Sequence, residues 1–202
     1  MSAQVAKKVF VLTVLLPVMV CYLYLRLYPP NVPTISGEFI PYDHLATEDT
    51  DPFLSGGKAP VKGSRIIAVA MRHNNVRDCL KYSERKAQIP DLRLVAWYRI
   101  RSDEVADVCL FRVLSSLGTP ERAMVWLWSQ GLPARVRLHD ERGESFTSIS
   151  SANYLRKSGM MLVGGGYFAR QITSNVSYTE SISATWNDRG ELIGASYSLN
   201  TL

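Results

Sequence analysis

One long apolar run, Val9 to Tyr28, constrains what this chain can become. Val9 to Leu25 holds no charge, and Arg26 is the sole charge within the longer run. A helix rises about 1.5 Å per residue, so about 20 residues cross a bilayer core of roughly 30 Å. The run reaches that length if Arg26 snorkels to the headgroups. Tyr22, Tyr24 and Tyr28 gather at one end, where amphipathic rings prefer the interface. Pro17 predicts a mild kink. Lys7 and Lys8 precede the run, so the positive-inside rule predicts a cytoplasmic N-terminus and an outer C-terminal part. Leu-Arg-Leu-Tyr-Pro-Pro follows in place of a small-x-small cleavage pattern, so the expectation is a signal-anchor in the inner membrane. The predicted division is a cytoplasmic tip over 1–8, a transmembrane helix over 9–28, a linker over 29–63 and a periplasmic (extracytoplasmic) domain over 64–202.

The anchor also explains most of the charge. Three of the 23 basic residues lie in its vicinity and no acid does, so the net +5 of the whole chain falls to +2 for the remainder. That is an ordinary mixed surface and argues against nucleic acid as a partner. Cys21 lies in the apolar run, which leaves Cys79 and Cys109 as a pair. In an oxidising compartment they are expected to form a disulfide, closing a loop of about 31 residues worth about 3–4 kcal/mol. Two buried free thiols are the alternative.

Residues 29–63 carry six of the ten prolines and the Gly56-Gly57 pair, the composition of a spacer. Ile35, Phe39, Ile40 and Phe53 offer the alternative of a strap docked on the domain or on a partner. Arg65 to Met71 fits a strand or the start of a helix. Asn75 to Ala87 reads as a helix and Leu92 to Ile100 as a strand. Ser102, Asp103 and Glu104 begin the best helix signal, which Gly118 ends. Thr119-Pro120-Glu121 starts another at once, running to Gln130 before Gly131. From Leu132 the period becomes two. Strands are predicted over Arg135–Asp140, Glu144–Ser150, Met160–Tyr167, Gln171–Asn187 and Glu191–Leu199, with a turn at Asn187-Asp188-Arg189-Gly190. Helices followed by an antiparallel meander predict an α+β fold with helices packed on the sheet.

No pattern in the chain carries chemistry. His44, His73 and His139 lack second ligands at metal spacing, and His139-Asp140 point to opposite faces of a strand. Asp103/Glu104 suit a helix start and Asp140/Glu141 a turn. Ser55-Gly56-Gly57-Lys58 and Gly164-Gly165-Gly166 lack the context of a phosphate or dinucleotide loop. Asn175-Val176-Ser177 is a sequon. The expectation is therefore no catalytic, cofactor or metal site, and no enzyme. Trp126 and Trp128 lie two apart on a helix and cannot face one direction, so the pair supplies a candidate partner contact. The reading is a single-pass envelope protein whose outer domain binds another protein. It would serve secretion, conjugation or pilus assembly, or act as an immunity or exclusion factor. The alternative is a membrane-tethered enzyme or ligand-binding domain with a pocket between helices and sheet.

Overall fold

The computed structural model describes residues 35–100, 102–141, 144–155 and 178–201. The expected anchor, the strand over Met160–Tyr167, the glycine triplet and the sequon lie outside the described residues. Among the described residues no helix is long and apolar enough to cross a membrane.

The architecture is α+β, with helices packed on a four-stranded antiparallel sheet. The helices are α1 (Arg65–Arg72), a 3-10 turn (Val76–Cys79), α2 (Tyr82–Arg85), a second 3-10 turn (Trp97–Arg99), α3 (Asp103–Leu117) and α4 (Pro120–Ser129). The strands β1 (Ala134–Glu141), β2 (Glu144–Leu155), β3 (Tyr178–Trp186) and β4 (Leu192–Thr201) lie side by side in that order.

Helix α3 starts where the local chemistry places it. The Ser102 hydroxyl accepts from the Val105 N–H, with Asp103 and Glu104 in the first turn. Gly118 ends the helix at φ 80°, and a Cβ there would also strike the Asp43 carboxylate at 2.0 Å. Thr119 then caps α4 by accepting from Arg122 N–H, with Pro120 at the first helical position. Most of α3 is buried, beyond the stripe its sequence suggests, because it lies under β4 on one side and under α1 on another. Phe111 meets Phe53 edge to face at 5.2 Å.

Two expected elements do not form. Asn75 to Ala87 is not one helix. Leu80 is fully buried and bridges Val95, while Lys81 N–H donates to Leu94 carbonyl and Ala96 N–H to Cys79 carbonyl. Those bonds need extended backbone at Leu80. The segment folds back instead: Arg77 Nη1 donates to the carbonyls of Glu84, Arg85 and Ala87, and Arg85 donates to those of Leu80 and Asp78. Leu92 to Ile100 is not a strand either. Val95, Ala96 and Trp97 are buried in succession, which a strand's alternation forbids for one core. Trp97 Nε1 donates to Gln130 Oε1 at 2.9 Å, and this fixes the second 3-10 turn.

Of the stretch expected as a spacer, residues 35–63 belong to the packed unit. Ile40, Ala46 and Phe53 are buried, whereas Phe39 is exposed. The buried guanidinium of Arg112 holds this strap. It donates to the carbonyls of His73, Thr47 and Asp51 and pairs with the Glu48 carboxylate. A buried charge is tolerable only when its donors are filled in this way. Gly56 and Gly57 form a tight turn whose Gly57 N–H donates to Ile193 carbonyl at 2.6 Å. The pair that looked like flexible linker therefore covers the outer side of β4.

Candidate functional site

The sheet register shows where the core ends. Cross-strand partners share a face. One row reads Ala134, Ser151, Ile182 and Tyr197; the next Val136, Ile149, Ala184 and Ala195; the third Leu138, Thr147, Trp186 and Leu192. Trp186 is fully buried, yet Leu138 in the same row is 82% exposed, and Val136 is 43% exposed beside a fully buried Ile149. Helix α4 lies on β1 and β2 near Ala134, and the inward face of β1 then runs out from under the helices. On the other face Arg135 and Arg137 are exposed. Among the described strands β1 is an edge over eight residues, and it pairs with β2 without a register shift.

The two tryptophans separate as their spacing demands. Trp126 is fully buried and donates from Nε1 to Leu92 carbonyl at 2.8 Å, so it cannot serve as a partner contact on this surface. Trp128 is 58% exposed, with Val125 beside it one turn earlier on α4. Cys79 and Cys109 form the disulfide, with Cα atoms 5.5 Å apart and both residues buried.

That disulfide floors a cavity of about 260 Å³ lined by Arg72, His73, Asp78, Arg85, Arg99 and Val105, among others. Its walls come from the end of α1, both 3-10 turns, α2 and the first half of α3. Three guanidiniums face one carboxylate. Arg85 spends two nitrogens on backbone carbonyls, and Asp78 accepts from Asn75 N–H in the cap of the first 3-10 turn. Arg72 and Arg99 are exposed at the rim. His73 Nδ1 is buried with no hydrogen-bond partner. Burial holds the imidazole below its ordinary value; Asp78 pulls it upward, and Arg72, Arg99 and Arg85 push it further down. Together these influences favour the neutral ring.

His73, Cys79 and Cys109 offer donor atoms within 4.8 Å of one another. The two sulfurs are bonded to each other and supply no thiolates, so this trio is not a metal centre in the oxidised protein. His44 pairs with Asp51 at 2.8 Å on the surface. The side chain of His139 lies outside the described residues. Sequence reasoning missed the cavity, whose arginines are scattered through what reads as solvated surface. It saw the alternation of Val136 and Leu138 but had no signal that β1 is an edge. Comparison of the chain with models of known families, with characterised proteins and with solved structures found no match.

Proposed function

We propose that this chain is a single-span envelope protein whose domain, held outside the cytoplasm, binds an extended segment of another protein along β1. One observation carries the reading: Leu138 is 82% exposed in a row that runs through half-buried Thr147 to buried Trp186 and Leu192. An added strand would extend the sheet by backbone hydrogen bonds and cover Leu138 and Val136. The occupant is a segment alternating apolar residues, for Val136 and Leu138, with acidic ones, for Arg135 and Arg137. A second copy paired about Val136 or Arg137 sets arginine against arginine, although pairing about Leu138 sets Arg135 against Glu141. The location is supported by the apolar run beside Lys7 and Lys8 and by the disulfide, which suits an oxidising compartment. A component of secretion, conjugation or pilus assembly would use such a strand-taking edge, as would an immunity or exclusion factor. A second reading, a membrane-tethered ligand-binding domain or enzyme, draws on the cationic cavity.

The test is photocrosslinking in cells from position 138 of the full chain, with position 89, also exposed, as control. The expected result is an adduct from 138 alone, mapped by mass spectrometry to an acidic, extended stretch of one partner. It disappears when Arg135 and Arg137 are changed to glutamate. An adduct with a second copy, or equal adducts from both positions, overturns the proposal. A reporter fused after Leu202 should be active only outside the cytoplasm; activity inside sinks the topology.

A further inference from the structure

We infer that the cavity over the Cys79–Cys109 disulfide binds a phosphoryl group, presented as free phosphate or as an anionic lipid headgroup. The inference stands apart from the strand-binding reading and involves none of the residues of β1. Three observations carry it. The cavity collects Arg72, Arg85 and Arg99 from three separate elements around one space, with Asp78 as the opposing carboxylate. Guanidiniums present forked donors that match the oxygens of a tetrahedral anion. His73 lines the same space, and its Nδ1 is buried with no hydrogen-bond partner, so one polar atom of the wall is left unfilled. The third is rigidity. The disulfide joins the first 3-10 turn to α3, and the bonds from Arg85 to Leu80 and Asp78 fix α2 against that turn, so the walls are held before a ligand arrives. About 260 Å³ is small for a drug-sized ligand and ample for a phosphate or the head of a lipid.

Arg85 has structural bonds, and exposed arginines are common. Arg72 and Arg99, by contrast, make no hydrogen bond or ion pair among the described residues and line the same space as His73. Three guanidiniums against one carboxylate disfavour a cation and suit a phosphoryl group, whose several oxygens take forked donors, better than a single carboxylate.

The experiment uses the full chain in phosphatidylcholine nanodiscs with isotope-labelled histidine rings, read by NMR at constant pH. Inorganic phosphate should shift the His73 signal saturably and leave His44 in place. Arg72→Ser and Arg99→Ser should each weaken binding at least about tenfold, the effect of losing one charged hydrogen-bonding group. Arg189→Ser, which removes an equal charge from the exposed β3–β4 turn, should bind as the parent does. An intact disulfide by mass spectrometry certifies the fold of each variant. A second arm replaces part of the phosphatidylcholine with phosphatidylglycerol and omits phosphate. A His73 shift there identifies the headgroup as the source; a shift only with added phosphate identifies the free anion. No His73 shift in either arm, acetate binding as tightly as phosphate, or undiminished binding in both rim variants would overturn the inference.

Discussion

The two edges of the sheet are built differently. Beside β4, α3 covers the inner face, and the Gly56-Gly57 turn bonds to Ile193 on the outer side. Ile193 is also the extra residue of a bulge, since Thr185 pairs with Gly194 and Trp186 with Leu192. The bulge brings Leu192 to the same face as Ala195 and Tyr197, all three buried. Beside β1 there is no bulge and no covering turn among the described residues, and an apolar pair faces water. Proteins suppress edge pairing with bulges, charges and covering segments. Among the described residues this one applies a bulge and a cover at β4, and at β1 charged side chains such as Arg135 and Arg137. The difference teaches that an uncovered edge is not a property of the sheet but of one strand in it.

The comparison can be broken hardest along the third row. Trp186→Ala should cost about 3–5 kcal/mol in chemical denaturation, since it empties the core at the covered end of that row. Removing the disulfide with Cys79→Ala and Cys109→Ala should cost about 2–4 kcal/mol by the same measurement, loosening α3 and with it the cover of β4. Gly194→Val tests the cover directly. A Cβ at Gly194 meets Gly56 N at 3.1 Å, so the turn must shift, at about 1–3 kcal/mol, and light scattering should then report association through β4.

A smaller effect depends on pH. Asp107 on α3 accepts from Tyr197 N–H on β4 at 2.6 Å, and burial raises its carboxyl to about 6, against the lowering influence of that bond. Its folded value lies above the unfolded one, so the folded state binds more protons between about pH 4 and pH 6. This group's contribution to stability therefore grows as pH falls through that window and is lost as pH rises through about 6. Asp107→Asn should flatten that part of a stability-versus-pH curve. The smallest effect belongs to the other edge. Leu138→Ser should change stability by no more than about 0.5 kcal/mol, while abolishing capture of the β1 partner by a photocrosslinker placed at position 136.

What the sequence disclosed and what it hid follow from the range of the forces involved. Helices α3 and α4 were legible because Ser102, Gly118, Thr119 and Pro120 act within a few residues of themselves. The β3–β4 hairpin was legible because Asn187 takes the Arg189 and Glu191 N–H groups at its own turn. Residues 75–100 were misread because their partners are distant: Leu80 answers to Val95, Trp97 to Gln130, and Arg93 to the carbonyls of Gly37 and Glu38. The cavity was invisible for the same reason, since only the fold brings Arg72, Arg85 and Arg99 to one space. The exposed side of β1 was half visible. Its alternation was plain, but which side of a sheet stays wet depends on where the helices stop.

The Arg112 clamp has a consequence for the order of events during synthesis. The carbonyls of Thr47 and Asp51 and the carboxylate of Glu48 leave the ribosome more than 60 residues ahead of the guanidinium that completes them. Ile40 and Phe53 lack Phe111 and its helix over the same interval. The strap is thus the first part of the domain to be made and among the last to be finished. In that window the strap's polar groups stay in water, and the arrival of α3 is what draws them into the core.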